Sequence, residues 1–100
     1  MIPEAERYRD QLRAMLPELA ARYGVSELGL FGSRVRGDHR PDSDLDVLVS
    51  FRPDASLSLL DVVELEYLLS DRLGVNVDLA LKRSLKPYLR PYILREVQTV

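Results

Sequence analysis

The chain of 100 residues has no cysteine and no tryptophan, and histidine occurs once, as His39. Without thiols there are no disulfides and no thiolate metal ligands, which leaves the redox compartment open. With one imidazole, a histidine- and cysteine-ligated zinc site and a serine-histidine nucleophile both lack parts. No stretch approaches the roughly 20 apolar residues that cross a bilayer, and the opening MIPEAERYRDQLRAM lacks the apolar segment of a secretory leader. The formal net charge of -2 draws neither nucleic acid nor membrane nonspecifically. These absences lead us to expect one soluble, cytoplasmic domain over residues 1–100, with no direct nucleic-acid partner and no membrane association.

What is present is patterned. Tyr8, Leu12, Met15 or Leu16, Leu19 and Tyr23 recur at steps of three and four, which predicts a helix over the first 23 residues. Pro17 removes a backbone donor and is expected to kink or split it, and Gly24 is placed to end it. Glu27 to Phe31 and Asp44 to Phe51 read as strands. Ser58 and Asp61 spell a capping box, followed by the stripe Val62, Leu65, Leu69 and Leu73 and the terminator Gly74. Val75 to Leu81 alternates as a third strand, and Ser84 is a candidate cap for a last helix, with Pro87 and Pro91 blurring its start. Lys82, Arg83, Lys86, Arg90 and Arg95 against Glu96 make the end of the chain basic. Such a segment is either a solvated helix face or a surface for phosphates or an acidic partner. The expected class is α+β, a small mixed sheet of about three core strands flanked by helices.

Two aspartates interrupt this order. Strand alternation puts Leu45, Val47, Val49 and Phe51 on the core face and Asp44, Asp46, Leu48 and Ser50 on the other. Asp44 and Asp46 then lie about 6.5 to 7 Å apart. In the third strand Asn76, Asp78 and Ala80 oppose the apolar set, so Asp78 joins the pair if the strands are neighbours. At an effective dielectric of about 20, each pair of charges some 7 Å apart costs roughly 2 kcal/mol. Hard divalent cations remove that conflict, and Mg²⁺ typically takes one or two protein carboxylates, with waters and substrate phosphates completing its shell. A lone Asp-x-Asp often merely caps a turn. Here the pair lies within the strand pattern, and a third aspartate repeats its parity.

Other motifs fail on inspection. Asp42, Asp44 and Asp46 start like a calcium loop, but Val47 and Pro53 stand where glycine and glutamate are required. Gly32 to Gly37 has the spacing of a P-loop, yet Asp38 and His39 replace its lysine and hydroxyl residue. His39, among Asp38, Arg40 and Pro41, reads as a solvated loop residue. What remains is Gly32-Ser33 directly after a strand, where free amides and a missing side chain suit an anion.

These residues carry a resemblance. Gly32-Ser33, ten residues, then Asp44-Leu45-Asp46, with Asp78 in VNVDLA, resembles the signature of the minimal nucleotidyltransferases of the DNA polymerase β-like superfamily. The likeness extends over nearly the whole chain. It implies transfer of a nucleoside monophosphate from a nucleoside triphosphate such as ATP to a hydroxyl. It further implies that Asp44, Asp46 and Asp78 are catalytic and hold two Mg²⁺ ions, with Mn²⁺ as a substitute, and that Gly32 and Ser33 bind the β and γ phosphates. Arg34 and Arg36 are near enough to assist or are ordinary surface arginines. Stand-alone members of this size resemble antitoxins encoded beside HEPN-type toxins, which adenylylate a tyrosine of the partner. Two other readings stay open at this point: an antitoxin that acts by occlusion alone, and a transferase for a small hydroxylated molecule with a pocket completed by oligomerisation.

Overall fold

The computed structural model describes residues 2–100. Helix α1 (Pro3–Tyr23) is followed by strand β1 (Val25–Phe31), a single helical turn α2 (Ser33–Arg36) and strand β2 (Leu45–Phe51). Helix α3 (Leu59–Leu73), strand β3 (Val77–Leu81), a 3₁₀ turn (Lys82–Ser84), helix α4 (Arg90–Glu96) and the short strand β4 (Gln98–Thr99) complete the chain. The sheet order is β3-β2-β1-β4, with β2 parallel to β3 and the other pairs antiparallel. The architecture is thus α+β with a mixed sheet, as expected, but with a fourth strand that two polar residues do not announce.

One face of the sheet is the core. Leu28 and Leu30 of β1 and Leu45, Val47 and Val49 of β2 are at most 2% exposed, and Leu12 and Leu19 of α1 with Leu65 and Leu69 of α3 close over them. The capping box at Ser58 forms, with the Asp61 amide donating to Ser58 Oγ at 3.3 Å and the Ser58 amide to Asp61 Oδ2 at 2.9 Å. Of the two outcomes expected of Pro17, it does not split α1: it lies on the exposed side, and Leu12, Met15, Leu19 and Tyr23 anchor the helix on both sides of it. Ser84 does not cap the last helix. It ends the 3₁₀ turn, and α4 starts six residues later at Arg90 with Pro91 in its first turn, where a missing N–H costs nothing.

The opposite face is only partly covered. The segment from α4 to β4 crosses β1 at Gly29, where a Cβ would meet Val97 Cγ2 at 2.5 Å, so only glycine allows this close approach. The outer edge of β3 is closed by α3: the Leu79 amide donates to Glu66 Oε2 at 2.8 Å and the Val77 amide to Ser70 Oγ at 2.9 Å. Among the described residues, no helix is long and apolar enough to cross a membrane.

Arg34, which the sequence offers as a surface residue, is 7% exposed. Its guanidinium donates to Glu4 Oε1 at 2.6 Å, to the Ser43 carbonyl at 2.8 Å and to the Pro41 carbonyl at 3.2 Å. It ties the loop before β2 to both α1 and α2. Arg34→Met leaves two carbonyls and a carboxylate without their donor, and should lower stability by about 3 kcal/mol in urea unfolding.

Candidate active site

The site forms where β1 ends and β2 and β3 begin. Register pairs Phe31 with Asp46 and Asp46 with Asp78, so the two carboxylates stand side by side on the face away from the core. Asp44 lies one residue before β2 rather than inside it, directly after Ser43, whose carbonyl accepts from Arg34. Its Oδ1 accepts from Asn76 Nδ2 at 2.9 Å, and the Asn76 carbonyl accepts from the Leu45 amide at 2.8 Å. Asn76 therefore orients Asp44 through both its side chain and its backbone.

Gly32 has φ 85° and ψ −165°, a conformation open only to glycine, and a Cβ there would meet Asp46 Oδ2 at 2.0 Å. The turn is thus pressed against the carboxylate. Its carbonyl accepts from the Val35 and Arg36 amides, which leaves the Ser33 and Arg34 amides outside the internal ladder of α2. Gly32-Ser33 and the aspartates, separate in sequence, make one surface.

The half-buried Asp46 carboxyl is pushed up to about 6, first by loss of water and then by the charges of Asp78, Asp44 and Glu96, with Arg36 opposing. Arg36 bridges Asp38 and Glu96, linking α2 to α4. Neither arginine is free for a phosphate: Arg34 is a buried strut and Arg36 is paired on both sides. His39 is less solvated than its neighbours suggest. Its side chain is 19% exposed, Nε2 lies 4.0 Å from Glu4, and Nδ1 is buried without a hydrogen-bond partner.

Among the described residues, no three histidine, cysteine, aspartate or glutamate side chains converge as a ready cluster for one metal ion. Asp44, Asp46 and Asp78 are nonetheless close enough for the first and last to disfavour the charge on the second. All offer hard oxygen donors, and Asp44 and Asp78 are exposed to an incoming ligand. The donor set suits Mg²⁺. The residues missed by sequence reasoning are Asn76 and Arg34, which position rather than react. Asn76 carried a faint signal, since it shares the parity of Asp78.

Two outcomes follow. The raised Asp46 carboxyl means that the folded state takes up a proton between about pH 6 and pH 4 that the unfolded chain does not, so this group's contribution to stability grows as pH falls through that window and is lost as it rises. Asp46→Asn should therefore stabilise the metal-free protein at pH 7 by about 1 kcal/mol, allowing for the group's partial exposure, and leave it nearly unchanged at pH 4 by thermal unfolding. Gly32→Ala should cost about 1–3 kcal/mol from backbone strain and, by driving Asp46 aside, weaken nucleotide binding measured calorimetrically.

Comparison with known proteins places the chain in a family. The nucleotidyltransferase domain family matches residues 12–100. The protein adenylyltransferase MntA of Thermococcus cleftensis is 47% identical over 92 residues, covering 92% of this chain and 91% of that protein. A solved minimal nucleotidyltransferase superposes with a TM-score of 0.76 at 42% identity, covering 95% and 94% of the two chains. A chain from the solved complex of tri-AMPylated Shewanella oneidensis HEPN toxin with MNT antitoxin matches in fold, with a TM-score of 0.67 at 20% identity over 94% of this chain and 69% of that one. The chain belongs to the nucleotidyltransferase domain family and is a nucleotidyltransferase of the minimal kind.

Proposed function

We propose that this nucleotidyltransferase moves AMP from ATP to a tyrosine hydroxyl of a HEPN-type toxin encoded alongside it, and so acts in the cytoplasm as an antitoxin. The observation that carries the proposal is the register of Asp46 opposite Asp78 with the Gly32-Ser33 turn pressed against Asp46. The similarity to MntA favours a protein as acceptor over a small molecule. The whole domain spans residues 1–100 in this reading.

Asp44, Asp46 and Asp78 are the residues that would hold Mg²⁺, two ions in this reading, with Mn²⁺ as a substitute. When bound, the metal offsets the charge of carboxylates and triphosphate and makes the acceptor hydroxyl more acidic. The chain supplies the remainder. The free amides of Ser33 and Arg34 and the Ser33 hydroxyl bind the β and γ phosphates, and Gly32 lets them approach. Asn76 keeps Asp44 in place. Asp78, exposed beside Asp46, accepts the proton of the tyrosine hydroxyl. The tyrosine oxygen then bonds to the α phosphorus, the bond from that phosphorus to the bridging oxygen breaks, and pyrophosphate leaves with its electron pair.

With purified toxin, labelled ATP and Mg²⁺, wild type should label the toxin, and Asp44→Asn and Asp78→Asn should each reduce the rate at least about 100-fold. Replacement of the acceptor tyrosine by phenylalanine should abolish labelling. An Asp44→Asn protein that still neutralises the toxin in cells would instead establish occlusion. Mg²⁺ with ATP should also raise the melting temperature, with about 2.7 kcal/mol of stabilisation at ligand a hundredfold above Kd, and Asp44→Asn should lose most of this rise.

A further inference from the structure

Helix α3 is apolar on two sides. Its inner residues Leu65, Leu69 and Leu73 are 0%, 0% and 7% exposed, whereas Leu59, Leu60, Val63 and Tyr67 on the outer side are 79%, 79%, 39% and 73% exposed. One stripe is what a helix needs to join its own core. The spacing of Leu60, Val63 and Tyr67 at i, i+3 and i+7 makes the outer four a continuous ridge rather than scattered contacts.

The ridge leads to the site. Tyr67 is one wall of a shallow groove of about 420 Å³ that continues past Ser70, Asp71, Gly74 and Val75 to Asn76. The side chain of Asn76 is the donor that holds Asp44. From Leu60 to Gly74, ridge and groove extend about 21 Å along the helix, which is about four turns of a second helix laid beside it.

Charge along the borders differs. Glu64 is taken by Arg22 and by the Tyr23 hydroxyl, at 2.6 and 2.8 Å. Asp71, in the groove wall, makes no ion pair among the described residues.

We infer that the outer face of α3 and the groove from Tyr67 to Asn76 dock an amphipathic helix of the acceptor protein, with a basic residue of that helix meeting Asp71. The inference rests on the proposed transfer to a protein. It adds where the acceptor sits: the apolar ridge supplies affinity, and the groove brings the end of the docked helix beside Asp44, so that a hydroxyl just beyond that end reaches Asp46 and Asp78. A ridge next to a groove is the form that helix packing uses.

Leu60→Asp and Tyr67→Ala test the dock without threatening the fold, since an acid is favoured in a helix's first turn and alanine is the better helix former. Both variants should keep the wild-type melting temperature and its rise with Mg²⁺ and ATP. Binding of each to immobilised HEPN toxin should weaken at least about tenfold, and the double variant should lose binding. Transfer should fail through a raised KM for toxin with kcat retained. Asp71→Lys should weaken binding further, and Tyr92→Ala, on the separate exposed patch of α4, should leave it unchanged. Unaltered toxin binding in the Leu60→Asp, Tyr67→Ala protein overturns the inference. So does a dimer of the chain alone that Leu60→Asp dissociates, because the face would then belong to a second copy. Wild type that binds toxin without labelling it defeats the proposed transfer, while the same titrations still decide the dock.

Discussion

Pairing β2 with β3 in parallel sets Asp46 opposite Asp78, and Asp44 follows close by, so three like charges meet at one end of a four-stranded sheet. The surrounding structure is arranged to withstand that repulsion. Gly32 closes on Asp46 from β1, Asn76 fixes Asp44 from the start of β3, and Arg34 clamps the intervening loop by its carbonyls. None of these contacts neutralises the charge. They hold it in position, which is what a site needs if its affinity for cations is to come from the repulsion itself.

The two faces of the sheet divide the work. Leu45, Val47 and Val49 alternate with Asp46, Leu48 and Ser50, so the same seven residues of β2 build the core on one face and carry Asp46 on the other. Helices α1 and α3 cover the first face, while Leu94 and Val97 of the segment around α4 lie over part of the second, near Gly29 and Leu48. Packing therefore secures the strands while leaving Asp44 and Asp78 exposed and Asp46 half-buried.

Much of this was legible because it is local. The Gly-Ser to Asp-x-Asp spacing lies within one stretch, strand parity placed Asp78 beside Asp46, and the capping box at Ser58 is a four-residue signal. What escaped depends on partners far away in sequence. Arg34 gives no sign that Glu4, thirty residues earlier, will draw it inward. The strand at Gln98–Thr99 exists because β1 offers an edge, not because its residues favour one. Pro17 does not split α1 for the same reason: apolar anchors on either side outweigh one absent donor on the wet side.

The capped edge of β3 has a consequence for how this domain associates. Glu66 and Ser70 occupy the outward amides of Leu79 and Val77, and the other edge ends in a strand of two residues. Among the described residues, the rows of backbone open to a foreign strand are thereby shortened on both sides. Partly closed edges favour contacts with other chains through side chains, whose identities can change without disturbing the sheet. A chain so built can drift toward a new partner by surface substitution while its sheet edges stay poor templates for a foreign strand.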